Sequence, residues 1–222
     1  SGDSLNNDDK EGVDCNFCHE LINPNSNNPE DLAVINALDI NKPPFVDGKY
    51  QSGNGVFIID DNLSRRHGPF DAAPASHTAY KDAYYQESAY CATCHDVSNP
   101  VFILNEATGN YDLNTTPNQS PSFNTYKMFP SERTYSEWTQ SQYANGGVTN
   151  TVFGDVSSCQ DCHMKNVTGY GANKKSPERT DLPMHDMTGG NTFVPLLIKQ
   201  LYSSNASVNT DALDAGILRA KG

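Results

Sequence analysis

Apolar residues in this chain come in short bursts separated by long polar stretches. The longest bursts are "GVFIID" from Gly55 and "FVPLLI" from Phe193, far short of the ~18 apolar residues of a membrane-spanning helix. Around "NPEDLAVINAL" the pattern predicts a short helix. Asn28 would cap it, Pro29 sits at its first position, and Glu30 and Asp31 load its first turn with acid. "SHTAYKDAYYQESAY" has no Gly or Pro and reads as a helix running into Cys91. "TYSEWTQSQYANGG" predicts a helix with a capping box from Thr134 to Glu137, stopped by Gly146–Gly147. "VPLLIKQLY" and "TDALDAGILRA" predict two more, with Pro195 near the start of the former. Strand signals are fewer. "GNGVFIID" follows a Gly-rich turn, and "PVFILNEATGNYDLN" suggests a hairpin closed near Gly109–Asn110. The expected fold is mainly α, with long irregular loops and few short strands. It is read as one domain over residues 1–222, led by a flexible stretch at 1–12.

Composition complicates this picture. Hydrophobic residues are only 36% of the 222, against roughly 45–50% in ordinary globular chains. Such a chain struggles to fill a core with side chains, so something else is expected to fill part of the interior. Asp and Glu outnumber Lys and Arg by 27 to 15, a formal charge of −12, which disfavours nucleic acid and anionic membranes as partners. Ser1 opens a polar, acidic stretch without a leader, as in a processed chain or a piece of a longer one.

The cysteines say what fills the interior. All six fall in three copies of one pattern: "CNFCH" at Cys15, Cys18 and His19; "CATCH" at Cys91, Cys94 and His95; "CQDCH" at Cys159, Cys162 and His163. A Cys-x-x-Cys pair serves zinc, thiol exchange or covalent haem attachment. Zinc wants four ligands, and nothing in its chemistry requires a histidine after the second cysteine three times over. Thiol exchange needs one pair in a βαβ setting, which the pattern lacks. Haem c accounts for the spacing. Thiols at i and i+3 share a helix face and can add to the two vinyl groups of one porphyrin. The next residue then offers its imidazole to the iron. Three covalently attached haem c groups are therefore expected, and they would supply the missing core. Haem c is attached outside the cytoplasm, which points to a periplasmic, cell-surface or extracellular protein.

Three histidines remain, His67, His77 and His185, against three iron positions still to be filled. The count closes if each is a distal ligand. The rival is methionine, at Met128, Met164, Met184 or Met187, with Met184 and Met187 flanking His185. Were 77–91 a straight helix, it would hold His77 about 21 Å from Cys91, so His77 would serve a neighbouring haem, the first by preference.

Taken in order, "RRHGPFDAAPASH", "CATCHDVSNP", "RTYSEWTQSQYA", "CQDCHM" and "HDMTGGN" resemble the large multihaem cytochrome c group. That group includes the tetrahaem cytochromes of nitrifying bacteria, hydroxylamine-oxidoreductase-like proteins and filament-forming extracellular cytochromes. The resemblance spans roughly Gly12 to Leu197. It implies a closely packed chain of bis-histidine haems, with distal ligands at His77 and His185. One departure stands out: relatives often carry a histidine just after a Trp-x-x-Ser, where this chain has Gln142 after Ser141. His67 is the candidate replacement.

Two function classes follow. A chain whose haems are all six-coordinate has no open iron and is an electron carrier, not an enzyme. Its partners would be redox proteins or an extracellular electron acceptor, with self-assembly into a filament through haem-edge contacts as one form. The alternative is the haem domain of a nitrite- or hydroxylamine-type oxidoreductase, which needs one open iron. The Cys-x-x-Cys-Lys variant that family enzymes often use is absent.

Overall fold

A computed structural model describes residues 13–71, 77–116, 124–150, 154–172, 176–185, 187, 189 and 191–221. The 1–12 lead lies outside the described residues. Helix accounts for 30% of residues and strand for 26%, with the strands in several small sheets. The mainly α expectation is thereby overturned. Turn chemistry and local pairing make short ladders where apolar periodicity alone suggested helices or loops. The chain divides into two compact units, Ser1–Glu137 and Trp138–Gly222.

In the first unit, α1 (Cys15–Glu20) is capped by Asp14, whose carboxylate accepts from the Phe17 N–H at 2.7 Å. Helix α2 (Pro29–Ala37) starts as its sequence predicts: the Asn28 side chain accepts from the Glu30 N–H at 3.0 Å. Strands β1 (Phe45–Val46) and β2 (Lys49–Tyr50) form a hairpin. Its turn residues Asp47 and Gly48 both have positive φ, 50° and 73°, the twist that two-residue hairpins favour. Ile22, Phe45 and Ile58 make the apolar core, flanked by Val34, Ile35 and Tyr50. "GNGVFIID" forms no named strand. It makes a single antiparallel bridge, Ile59 to Leu21, beside backbone bonds from Ile22 N–H to Ile58 C=O and from Asp60 N–H to Glu20 C=O.

The helix expected over 76–90 is not formed. Strand β3 (Arg65–Gly68) pairs in parallel with β4 (Thr78–Lys81), His67 opposite Tyr80. Asp82 then takes an extended conformation and caps a 3-10 turn at Ala83–Gln86 through the Tyr84 N–H, 2.9 Å away. A short α3 (Ser88–Ala92) follows. Asp competes for backbone donors and so breaks helices at their interiors, and the β-capable Thr-Ala-Tyr stretch finds a partner strand. The predicted hairpin is present: β5 (Val97–Asn105) pairs with β6 (Asn110–Leu113), turning through Gly109 at φ 73°. Strand β7 (Met128–Glu132) completes this sheet.

Helix α4 (Thr134–Thr139) is shorter than predicted, and its capping box is not made. The Thr134 N–H and hydroxyl both turn back to the Glu132 carboxylate instead.

In the second unit, β8 (Val148–Asn150) and β9 (Gly154–Val156) form a ladder leading to α5 (Cys159–His163). A capping box of Ser158 and Asp161 starts that helix. A hairpin follows, β10 (Asn166–Tyr170) with β11 (Glu178–Pro183). Helices α6 (Phe193–Tyr202) and α7 (Thr210–Lys221) are those the sequence predicts, joined by Lys199 Nζ on Asp214 at 2.5 Å. Among the described residues of this unit, only Val156 and Ile217 are buried apolar side chains.

Candidate functional site

Each Cys-x-x-Cys-His motif occupies one helical turn. The first lies in α1 and the third in α5. The second begins in α3 and continues past it, since the His95 N–H still donates to the Cys91 C=O at 2.9 Å. No disulfide joins the six cysteines. Cys15 and Cys94 are exposed, and the other four are partly so. Although part of Cys94 is open to solvent, the atoms packed around its thiol desolvate it and, reinforced by the charge of Cys18, push it up. Burial and the nearby Asp161 push Cys162 up as well. Thiols that hold their protons this way are unlike the low-pKa thiolates of exchange catalysts. Among the described residues, the one group of three potential ligands lies elsewhere.

Three tyrosines hold the first two motifs side by side. The single Tyr85 hydroxyl proton is shared between the Cys18 and Leu21 carbonyls, both at 2.8 Å, and Tyr90, next to Cys91, donates to the Cys18 carbonyl at 3.0 Å. Tyr84 packs edge-on against both rings. Burial raises all three phenols above the usual tyrosine value. The second motif is also clamped from behind. Asp96, fully buried, accepts from the Ser136 hydroxyl at 2.7 Å, and its carbonyl accepts from the Asn54 N–H at 3.0 Å.

The histidines separate into two environments. His19 Nδ1 lies 2.6 Å from the His67 carbonyl oxygen. A carbonyl can only accept, so Nδ1 carries a proton; in the neutral ring this leaves Nε2 as the lone-pair nitrogen, the tautomer of a metal-ligating imidazole with an oriented ring. The same reasoning applies to His185 Nδ1 with the Pro183 carbonyl at 3.0 Å, and more weakly to His77 Nδ1 with Thr78 at 3.4 Å. His77, His95, His163 and His185 are exposed, and His19 is half-buried against the Tyr85 ring, 5.6 Å between centroids.

His67 differs from all of these. It is 2% exposed, and its Nε2 lies 3.6 Å from Asp31 and 3.8 Å from Asp60. Its backbone carbonyl, meanwhile, is the acceptor for His19 Nδ1. His67, expected as a distal ligand, is placed here between two buried carboxylates. The expected reach of His77 to the first haem loses its basis, because that argument needed a helix over 77–91.

A carboxylate cluster surrounds His67 that spacing in the sequence does not announce. Asp31 and Asp60 are 2% and 0% exposed. Arg65 Nη2 donates to Asp60 Oδ1 at 2.6 Å, its Nε pairs in charge with Asp60 Oδ2 2.5 Å away, and Nη1 donates to Glu30 at 2.9 Å. Burial, the largest single influence, pushes the Asp60 carboxyl up, but the hydrogen bonds from Arg65 and the Asn62 N–H, with the Arg65 charge, together outweigh it and hold the group below the usual range. The acids come from α2, from the loop before β3 and from the residue after β4. Only the parallel β3–β4 pair brings them together.

No family model, no curated protein and no solved structure matches the chain. Among the described residues, no helix is long and apolar enough to cross a membrane.

Proposed function

We propose that this chain is a trihaem c-type cytochrome that carries electrons outside the cytoplasm. The observation that carries the reading is the three Cys-x-x-Cys-His motifs, each on a single helical turn with its thiols at or near the surface. The pairs Cys15/Cys18, Cys91/Cys94 and Cys159/Cys162 would hold the porphyrins, with His19, His95 and His163 as proximal ligands. When bound, such groups supply reversible one-electron chemistry. The chain's own part is to hold and orient. The His67 carbonyl fixes the His19 tautomer, and the tyrosines fix the first motif against the second. The thin apolar core of the second unit fits a chain that packs against something other than its own side chains.

Two distal ligands are proposed from this chain, the exposed His77 and His185. With His67 turned to carboxylates, one iron would take its sixth ligand from another group or keep the position open. That placement favours keeping the oxidoreductase reading as a second one. A soluble redox protein, an extracellular acceptor or further copies of the chain would be the electron partners.

Intact mass and pyridine haemochrome absorbance should give three haems per chain. A mass without porphyrin would end the reading. Carbon monoxide binding to the reduced protein separates the two forms: uptake by one haem selects the oxidoreductase, and no uptake selects the carrier.

A further inference from the structure

We propose that Asp31, His67 and Asp82 form a binding site for one divalent transition-metal cation, with zinc the best match. One ligand atom from each of the three lies within 4.8 Å of the others. Acidic clusters are common, and the cluster alone would carry nothing. The second observation is His67 itself. It is 2% exposed, and neither of its ring nitrogens has a hydrogen-bond partner. Asp31 Oδ1 faces the ring and likewise has none. A buried imidazole beside buried carboxylates would ordinarily close into a hydrogen bond below 3.2 Å. Here Nε2 stands 3.6 Å from Asp31 Oδ1 and 3.8 Å from Asp60 Oδ2, too far for either.

That spacing suits an ion between the groups. Two donors each about 2.1 Å from one zinc, at a tetrahedral angle, lie about 3.4 Å apart. The Asp31–His67 edge is 3.6 Å, so a small inward movement completes it. The surroundings orient each ligand from behind, as second-shell groups do. The Ser26 hydroxyl donates to the other Asp31 oxygen at 2.5 Å. The Tyr84 N–H and the Asn23 amide donate to Asp82 Oδ1 at 2.9 and 3.3 Å. Tyr80 stacks on the His67 ring, 5.5 Å between centroids. Asp60 is already balanced by Arg65, which leaves two carboxylates and a neutral imidazole to match a 2+ charge. The imidazole selects the cation class, since magnesium and calcium prefer all-oxygen sites and imidazole favours zinc and its neighbours.

None of its residues belongs to a Cys-x-x-Cys-His motif, so haem attachment and metal binding can hold or fail separately; the site rests on His67 facing Asp31 and not an iron. The test uses the full chain as purified, with whatever porphyrin it carries. Exposed thiols are first alkylated, so that no unoccupied cysteine can take metal, and bound metal is removed with a chelator. Zinc chloride is then titrated calorimetrically. The wild type should bind one zinc per chain, and Asp31→Asn and Asp82→Asn should each weaken binding on the order of tenfold or more. Asparagine keeps the acceptor oxygen that meets Ser26 or caps Tyr84, so both variants should retain the wild-type far-UV spectrum. Zinc should raise the melting temperature of the wild type but not of the variants. Absence of zinc binding by the wild type, or equal binding by all three proteins, would overturn the site and leave a His67–Asp31 ion pair in its place. Haem content, read separately by haemochrome absorbance, can fail or hold without affecting this outcome.

Discussion

Raising the pH should unfold the first unit steeply. Tyr84, Tyr85 and Tyr90 are the most strongly perturbed phenols, with smaller rises at Tyr50 and Tyr80, and burial is the chief reason that each of the three is raised. In the unfolded chain a tyrosine ionises near pH 10. A native value above the unfolded one gives stability that is complete below pH ~10 and is lost as pH rises towards the native value. Each such phenol removes about 1.4 kcal/mol per pH unit in that window, and three together remove about 4. A unit of ordinary stability, ~5–10 kcal/mol, is exhausted within about one to three pH units above 10. Tyrosinate absorbance and far-UV ellipticity, followed together in an alkaline titration, test this. The phenolate signal of these three residues should appear only as ellipticity falls. Tyr85→Phe should begin less stable by about 1–2 kcal/mol, since the Cys18 and Leu21 carbonyls lose a donor. Its alkaline slope should then be shallower by about a third. Complete phenolate formation with ellipticity intact would refute the reasoning, and so would an unchanged slope in the variant.

Ile22, 1% exposed and packed on Phe45 and Ile58, should cost ~3–4 kcal/mol when replaced by Ala. Leu201→Ala, at a side chain 59% exposed, should stay within about 0.5 kcal/mol in the same urea titration. Gly53→Ala places a Cβ 2.6 Å from the Asp96 carbonyl oxygen at φ 110°. A loss of ~2 kcal/mol or more is expected by thermal melting. In the haem-loaded protein, His77→Ala and His185→Ala should each convert one low-spin haem to another ligation state by electron paramagnetic resonance. His67→Ala should leave that spectrum unchanged, and a high-spin signal from it would restore His67 as a distal ligand.

What could be read in advance was local. The Asn28-Pro29 start of α2, the turn at Gly109–Asn110 and the last two helices are set by caps, turns and apolar spacing within a few residues of themselves. The helical turn of each Cys-x-x-Cys-His motif is legible for the same reason. The stretch from His77 to Tyr90 misled because absence of Gly and Pro permits a helix without requiring one. Asp82 and the pairing with Arg65–Gly68 decided otherwise, and neither shows in a local window. The carboxylates around His67 were hidden by the same mechanism. Asp31, Asp60 and Asp82 become neighbours through a parallel ladder, a non-local contact with no fixed sequence spacing. Counting histidines against iron positions could not see that one of them is buried among acids.

Residue 67 meets the rest of the protein through two ends that are chemically separate. Its carbonyl, which every amino acid possesses, orients His19, while its imidazole, which only histidine possesses, faces Asp31. Selection could therefore discard or replace the side chain without disturbing the neighbouring imidazole, provided that the strand kept its course. A homologue with another residue here could keep the geometry of its first Cys-x-x-Cys-His motif and lose the imidazole of the acidic chamber altogether. The two properties would be inherited independently although one codon specifies both.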